Sequence, residues 1–406
     1  MNKNNSFLVV VLFLSLFILG ACGSESTGGN DGSKELEVSV ARQAWAAGNS
    51  PVIQYMMEND LFEKYAEDFG YDLTVNYEDH PSAAPMVEAM ISGSLDFGMW
   101  GNTPIIRNIA AGQNISALNV GEGHLRYVLV TREGSDIHNL EDLEGKTVGL
   151  LVGGDPHNAF NQMLRYHLDV VNPEDMNIDL INVDSFSQAA QVPKGMDATV
   201  TYLPALLEAM DEDPDIKPLL NAFGETEESW ISDEAEGEGH VLESVEDSPF
   251  YPEGYYLHRS MWVVNNDIVD NDPDIATAFV MAQEKAIKEL GEMKPGEVSD
   301  TVKEYWELEP DLGKQIIEDE LLFIRGWSWP TEGDAQSMVE TSNFMAETDL
   351  IDEPLSAEEI KDNFDNVSDI LEKAYVEMDE YPEEDEFLDE SIDIRGYPAW
   401  EIDEWE

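Results

Sequence analysis

The sequence predicts an α/β fold made of two successive units, each a mainly parallel sheet flanked by helices. Three observations carry that expectation. Strand-like runs alternate with helix-like runs from Glu35 to Met210, the pattern of sheets covered by helices. Helical runs stop at glycines, as at Gly93 and Gly112, a common helix end. Hydrophobic residues are 42% of the 406 residues, so apolar surface suffices for more than one core.

The elements follow in order. Glu35–Ala41 alternates apolar and polar residues and reads as a strand. Pro51–Phe69 has apolar residues at helical spacing, with Pro51 suited to a first turn. Strand Asp72–Tyr77, helix Ala84–Ser92, strand Phe97–Trp100, helix Pro104–Ala111 and strand Ile115–Val120 complete the first unit. The second opens with strand Arg126–Thr131, a turn over Leu140–Gly145 and the apolar strand Thr147–Val152. Helix His157–Leu168, strand Ile178–Val183, helix Ser187–Val192, strand Ala198–Thr201 and helix Pro204–Met210 follow. Asn221–Tyr256 is densely acidic and reads as an insertion or a long surface loop. Ser260–Val264 is another strand, and Asp272-Pro273 opens a helix to Leu290, with Asp as N-cap and Pro in the first helical position. The remainder is helical with Trp-rich loops, ending in an acidic, aromatic tail.

The charge balance is extreme: 86 Asp plus Glu against 21 Lys plus Arg, a formal −65. Phosphate backbones need the opposite sign, which excludes nucleic acid as a partner. The acids are spread through every segment, among 9 Trp, 14 Tyr and 15 Phe. That many aromatics argue against a disordered acidic chain. The pattern points to life at high salt, where screening shortens to about 3 Å at 1 M.

At the N-terminus, Lys3 precedes an apolar run from Phe7 to Leu19. This is the layout of a secretory signal peptide, and the run is shorter than the roughly 20 residues of a membrane span. Cys22 is the only cysteine, so no disulfide forms within the chain. Gly23–Lys34 is rich in Gly and Ser and reads as a flexible tether.

Leu19-Gly20-Ala21-Cys22 resembles the lipobox of bacterial lipoproteins. The resemblance implies cleavage before Cys22, lipid on its thiol, and anchoring to the outer face of the cytoplasmic membrane. The alternative is a plain signal peptide with an incidental cysteine. Three further segments carry a second resemblance: Gly93–Gly98 with Trp100–Pro104 and Ala110–Gly112; Ile137–Thr147 with Gly153, Gly154 and His157; and Gly195–Ala198 with Pro204. Together they resemble the extracytoplasmic substrate-binding proteins of ABC importers, in the sulfonate, taurine and nitrate subgroup, whose relatives include binders of a thiamine pyrimidine precursor. The resemblance spans Glu35 to Leu290. It implies a two-lobe periplasmic-binding-protein-like fold of type II, with a hinge and a ligand cleft at the strand C-termini. It also implies a monomer whose partners are a small solute and the permease and ATPase subunits. The expected boundaries are 1–21 for the signal, 22–34 for the tether, 35–124 for the first lobe, 125–257 for the second with its insertion 221–256, 258–376 for the return to the first lobe, and 377–406 for the tail.

Candidate ligand contacts lie in the loops at the strand ends. Trp45 and Asn49 follow the first strand; Trp100, Asn102 and Thr103 end the third and begin a helix whose free N–H groups suit an anion. Trp100 serves either the core or the cleft, and truncating it is expected to weaken binding more than stability. Asn102 and Thr103 are either contacts or helix caps. Gly153, Gly154, Asp155 and His157 follow the apolar strand of the second unit. The family's anion binders commonly carry a small hydroxyl residue where this chain has Gly154 and Asp155. Asp155 therefore either caps its own helix or meets a positive group on the ligand, with Trp45 and Trp100 as cation–π faces. His157 is a contact or a packed helix residue. Asp197 lies beside the cleft or only forms a turn. Tyr202 is expected at the cleft. Arg259 either pairs a ligand anion or makes a surface ion pair.

No Gly-x-Ser-x-Gly, Walker, His-Glu-x-x-His or paired-cysteine motif is present. No catalytic residue, metal or cofactor is expected, although an enzyme of the pyrimidine-precursor type shares the implied fold.

Overall fold

The computed structural model describes residues 33–43, 46, 48–122, 127–132, 134–213, 215–221, 260–306, 308, 310–324, 328–379 and 398–399. Among these residues ten strands form two five-stranded sheets. The strands are β1 (Lys34–Arg42), β2 (Tyr71–Asp79), β3 (Phe97–Gly101), β4 (Ile115–Glu122), β5 (Tyr127–Arg132), β6 (Thr147–Leu150), β7 (Asp179–Asn182), β8 (Ala198–Tyr202), β9 (Ile216–Asn221) and β10 (Ser260–Asn265). The first sheet runs β2-β1-β3-β10-β4 and the second β7-β6-β8-β5-β9. In each, one strand is antiparallel to both neighbours: β10 in the first, β5 in the second. These are the strands that enter each sheet from the other one. The chain therefore changes sheets twice, between β4 and β5 and between β9 and β10, and each sheet is a separate lobe.

Helices cover both sheets. The first sheet carries α1 (Ser50–Glu58), α2 (Leu61–Asp68), α3 (Ala83–Ile91) and α4 (Asn102–Ala110); the second carries α5 (Asp155–Leu168), α6 (Phe186–Ala190) and α7 (Leu203–Glu212). After β10 come α8 (Asn266–Asn271), α9 (Pro273–Gly291), α10 (Pro295–Trp306), α11 (Pro310–Ile324), α12 (Glu332–Glu347), α13 (Ala357–Asp365) and α14 (Ser368–Met378). Residues from α9 to α14 join the core of the first sheet, so the C-terminal third is built onto that lobe. Its centre is aromatic: Phe279 of α9 stacks on Phe97 at 4.5 Å and meets Phe62 and Trp262 edge-on. In the second lobe β5 alternates, with Tyr127 and Leu129 in one cluster and Val128 and Val130 in another. That alternation is what burial of both sheet faces requires.

Three expectations are corrected in detail. The helix expected over Pro51–Phe69 is broken into α1 and α2, because Asp60 takes a left-handed conformation (φ 48°), which Asp and Asn tolerate better than most residues. β9 was not expected, and its Pro218 is accommodated because β9 lies at the sheet edge, beside a register shift. Asp272 does stand before Pro273, but its side chain makes no cap; it accepts from Lys34 and from Tyr71 Oη instead. Cys22, the tether up to Gly32, most of the acidic insertion 221–256 and most of the tail lie outside the described residues, while Lys34, expected at the tether's end, opens β1. Within the tail, Ala399 is fully buried and its N–H donates to Pro330.

Candidate functional site: the cleft between the sheets

A cavity of about 600 Å³ lies between the two lobes, and it is built from strand ends. The parallel strands of both lobes contribute their C-terminal ends: Gln43 after β1, Trp100 and Gly101 on β3, Glu122 on β4, Leu151–Asp155 after β6, Asn182–Asp184 after β7 and Tyr202 on β8. The antiparallel strands contribute their beginnings, Tyr127 on β5 and Ser260 on β10. A sheet exposes the loop-bearing edge of all its parallel strands on one side, and ligands bind in the crevice there.

Hydrogen bonds cross from lobe to lobe around this cavity. Asp155, 5% exposed, heads α5, and its Oδ1 accepts the Thr103 N–H of α4 at 2.9 Å. Two helix N-termini thus point toward one carboxylate, the sign the helix dipoles favour. Gly101 makes this approach possible, since a Cβ there would collide with the Asp155 carboxylate. Arg107 Nη1 of α4 donates to the Gly153 carbonyl at 2.6 Å. Glu122, 1% exposed, accepts from Tyr202 Oη at 2.7 Å and from the Gly48 N–H at 2.9 Å. Burial pushes the Glu122 carboxyl up to about 7, although both hydrogen bonds favour its charged form. Burial, then the carboxylates of Asp155 and Glu122, raises the Tyr127 phenol well above its usual range.

Aromatic rings form one wall. Tyr127, Phe186 and Tyr202 stand in a triangle, with centroids 5.7 to 6.2 Å apart. Trp100 lines the other lobe's side while 2% exposed; it packs across Gly98, where a Cβ would collide with its ring.

Of the residues expected at the cleft, the structure brings Trp100, Gly153, Gly154, Asp155 and Tyr202 to the cavity wall. Asp155 does not cap its own helix: Gly154 holds that position, and the carboxylate serves α4. Thr103 and Asn102 are buried at the start of α4, behind the wall, and the Thr103 N–H offered for an anion is taken by Asp155. Asn49 precedes α1, 4% exposed, and its side chain makes no capping bond. His157 Nδ1 accepts the Gly153 N–H at 3.1 Å, fixing the glycine loop from behind. Burial, then Arg107, lowers His157 to about 4. Asp197 is exposed, outside the cavity wall, and accepts the Thr147 N–H at 2.8 Å. Trp45 and Arg259 lie outside the described residues. Sequence reasoning missed Glu122, Tyr127, Phe186 and Arg107. One signal was available: Glu122 is an acid that directly ends an apolar strand.

A family profile described as NMT1/THI5 like matches residues 65–293, more than half of the chain. A Bacillus subtilis (strain 168) protein named for binding aliphatic sulfonates is 25% identical over 147 residues, 36% of this chain and 42% of that protein. The chain thus aligns with less than half the length of that relative. Among solved structures, the alkanesulfonate-binding protein SsuA of Xanthomonas axonopodis pv. citri, bound to MOPS, superposes with a TM-score of 0.59 at 14% identity, covering 78% of this chain and 95% of its own. The periplasmic nitrate-binding protein NrtA of Synechocystis PCC 6803 also gives 0.59, at 13% identity and 86% and 92% coverage. At such identities the likeness is one of fold, and it is the fold that the two sheets and two crossings already describe. The chain belongs to the NMT1/THI5-like family and has the two-lobe fold of the periplasmic binding proteins.

Proposed function

We propose that this chain is the solute-binding receptor of an ABC importer. It is exported, held through lipid on Cys22 at the outer face of the cytoplasmic membrane, and works as a monomer that hands its solute to the permease and its ATPase. The observation that carries the reading is the cavity of about 600 Å³ between two lobes. That volume suits a small organic molecule, and lobes joined by two crossings can close on it by a hinge. The names of the relatives favour a sulfonate or nitrate, and the family resemblance adds taurine-like zwitterions and pyrimidine compounds. The buried carboxylates of the cleft favour an amine-bearing solute instead.

The function is capture and release without covalent chemistry. The test is a thermal-shift screen at high salt with sulfonates, taurine, nitrate, choline, polyamines and thiamine pyrimidines. Ligand at 100 times its Kd stabilises by about 2.7 kcal/mol. A saturable shift with one class supports a receptor; a flat screen removes the reading. Palmitate labelling of wild type against Cys22→Ala tests the anchor.

A further inference from the structure

The cavity wall is acidic, and its acids fall into two groups. Glu88 and Asp184 are exposed at the rim, as on the rest of this surface. Glu122 and Asp155 are 1% and 5% exposed. A surface tuned to high salt accounts for the first pair but not for the second, which hydrogen bonds from Thr103, Tyr202 and Gly48 hold inside the wall. Among the described residues the wall contains one basic side chain, Arg107, and it donates to the Gly153 carbonyl.

The surroundings of the buried acids suit a cation. Tyr202 both hydrogen-bonds Glu122 and belongs to the three-ring triangle, so carboxylate and aromatic surface share one corner of the cavity. Such corners hold organic ammonium groups, through ring faces and countercharge together. A second observation concerns Trp100, whose buried indole N–H has no hydrogen-bond partner. Buried donors are normally satisfied, so this donor is left over for an acceptor on the solute. Against an anion stands Asp155: the Thr103 N–H at the α4 N-terminus, the natural anion seat, already holds the protein's own carboxylate.

We propose that the cleft selects a small organic cation bearing a hydrogen-bond acceptor, its ammonium seated between Glu122 and the rings of Tyr127, Phe186 and Tyr202, while Asp155 bars sulfonate and nitrate from the α4 N-terminus. The assignment rests on the receptor reading and narrows its solute class.

Calorimetric titration of the full chain at high salt, at a pH well above the value of about 7 to which burial pushes Glu122, tests it, with choline, sodium ethanesulfonate and sodium nitrate as probes. Choline is expected to bind saturably and the two anions not at all. Glu122→Gln is expected to weaken choline by roughly thirtyfold or more, because the ammonium is left buried and unpaired. Phe186→Leu keeps apolar volume and removes one ring, for a loss of about fivefold; it preserves the test if the Glu122 variant fails to fold. Asp155→Asn is expected to admit ethanesulfonate. Saturable binding of ethanesulfonate or nitrate to the native protein, without choline, overturns the cation assignment and leaves the receptor standing. Unchanged choline affinity in Phe186→Leu and Glu122→Gln also overturns it. No binding of any probe, together with a flat solute screen, overturns both readings.

Discussion

Glu122 and His157 sit on opposite sides of the cleft machinery and pull stability in opposite directions with pH. Glu122 rises from 4.5 to about 7, so between those values the folded chain holds a proton that the unfolded chain has lost. Stability from this group is full below pH 4.5 and is lost as pH rises through about 7. His157 drops from 6.5 to about 4, so across that window the unfolded chain holds the extra proton. Its contribution is full above pH 6.5 and is lost as pH falls toward 4. The two effects cancel where the windows overlap. Denaturant titrations at constant salt should therefore show Glu122→Gln gaining stability with pH relative to wild type, and His157→Gln losing it. Parallel curves for all three proteins remove the argument. Trp100 needs a correction at the same scale. Its indole is 2% exposed and packed on Gly98, so Trp100→Ala should lose about 3–5 kcal/mol of stability, visible as an earlier unfolding transition. The expectation is that truncation weakens binding more than stability; this packing adds a large stability loss of its own. Trp100, Asp155 and Tyr202 were legible as wall residues because they stand where strands end. Glu122 ends a strand too and was legible on the same ground; what no local pattern links is Glu122 and Tyr127 to Tyr202, 80 and 75 residues away.

At the scale of elements, periodicity placed most strands and helices within a residue or two. What it missed has a backbone cause. Asn59-Asp60 interrupts a run whose apolar spacing is continuous, and only the left-handed turn at Asp60 divides it. β9 contains a proline, which argues against a strand until its edge position is known. The start of α12 is more regular. Thr331 Oγ1 accepts the Asp334 N–H while Asp334 Oδ2 accepts the Thr331 N–H, a reciprocal capping box that is buried. Thr331→Ala should cost about 1 kcal/mol, toward 2 because it is buried. Calorimetric unfolding measures this, and an unchanged transition would mean that water replaces the cap.

The whole molecule carries a formal −65, and its described ion pairs lie largely at the exposed surface, where each is worth little. Self-repulsion at low salt is therefore opposed mainly by the cores. Thermal stability should rise steadily as salt approaches 1 M, where screening reaches about 3 Å; a flat or falling curve would falsify the halophilic reading. Closure is a whole-molecule property too. The lobes touch where Gly101 admits Asp155. Gly101→Ala should hold them apart, seen as a larger radius of gyration in solution scattering with solute present and an affinity weakened by about tenfold.

The sequence by itself determined the α/β class, the two repeating units, the acidic surface and the loops from which a site is made. Those follow from local periodicity, composition and the rule that strand ends carry the loops. Only the tertiary structure decided that Asp155 faces a helix in the other lobe, that Glu122 is buried against Tyr202, and that Asp197 stands outside the cavity. These depend on how two sheets, joined by two crossings, bring distant strand ends together, and a one-dimensional pattern does not encode which end meets which.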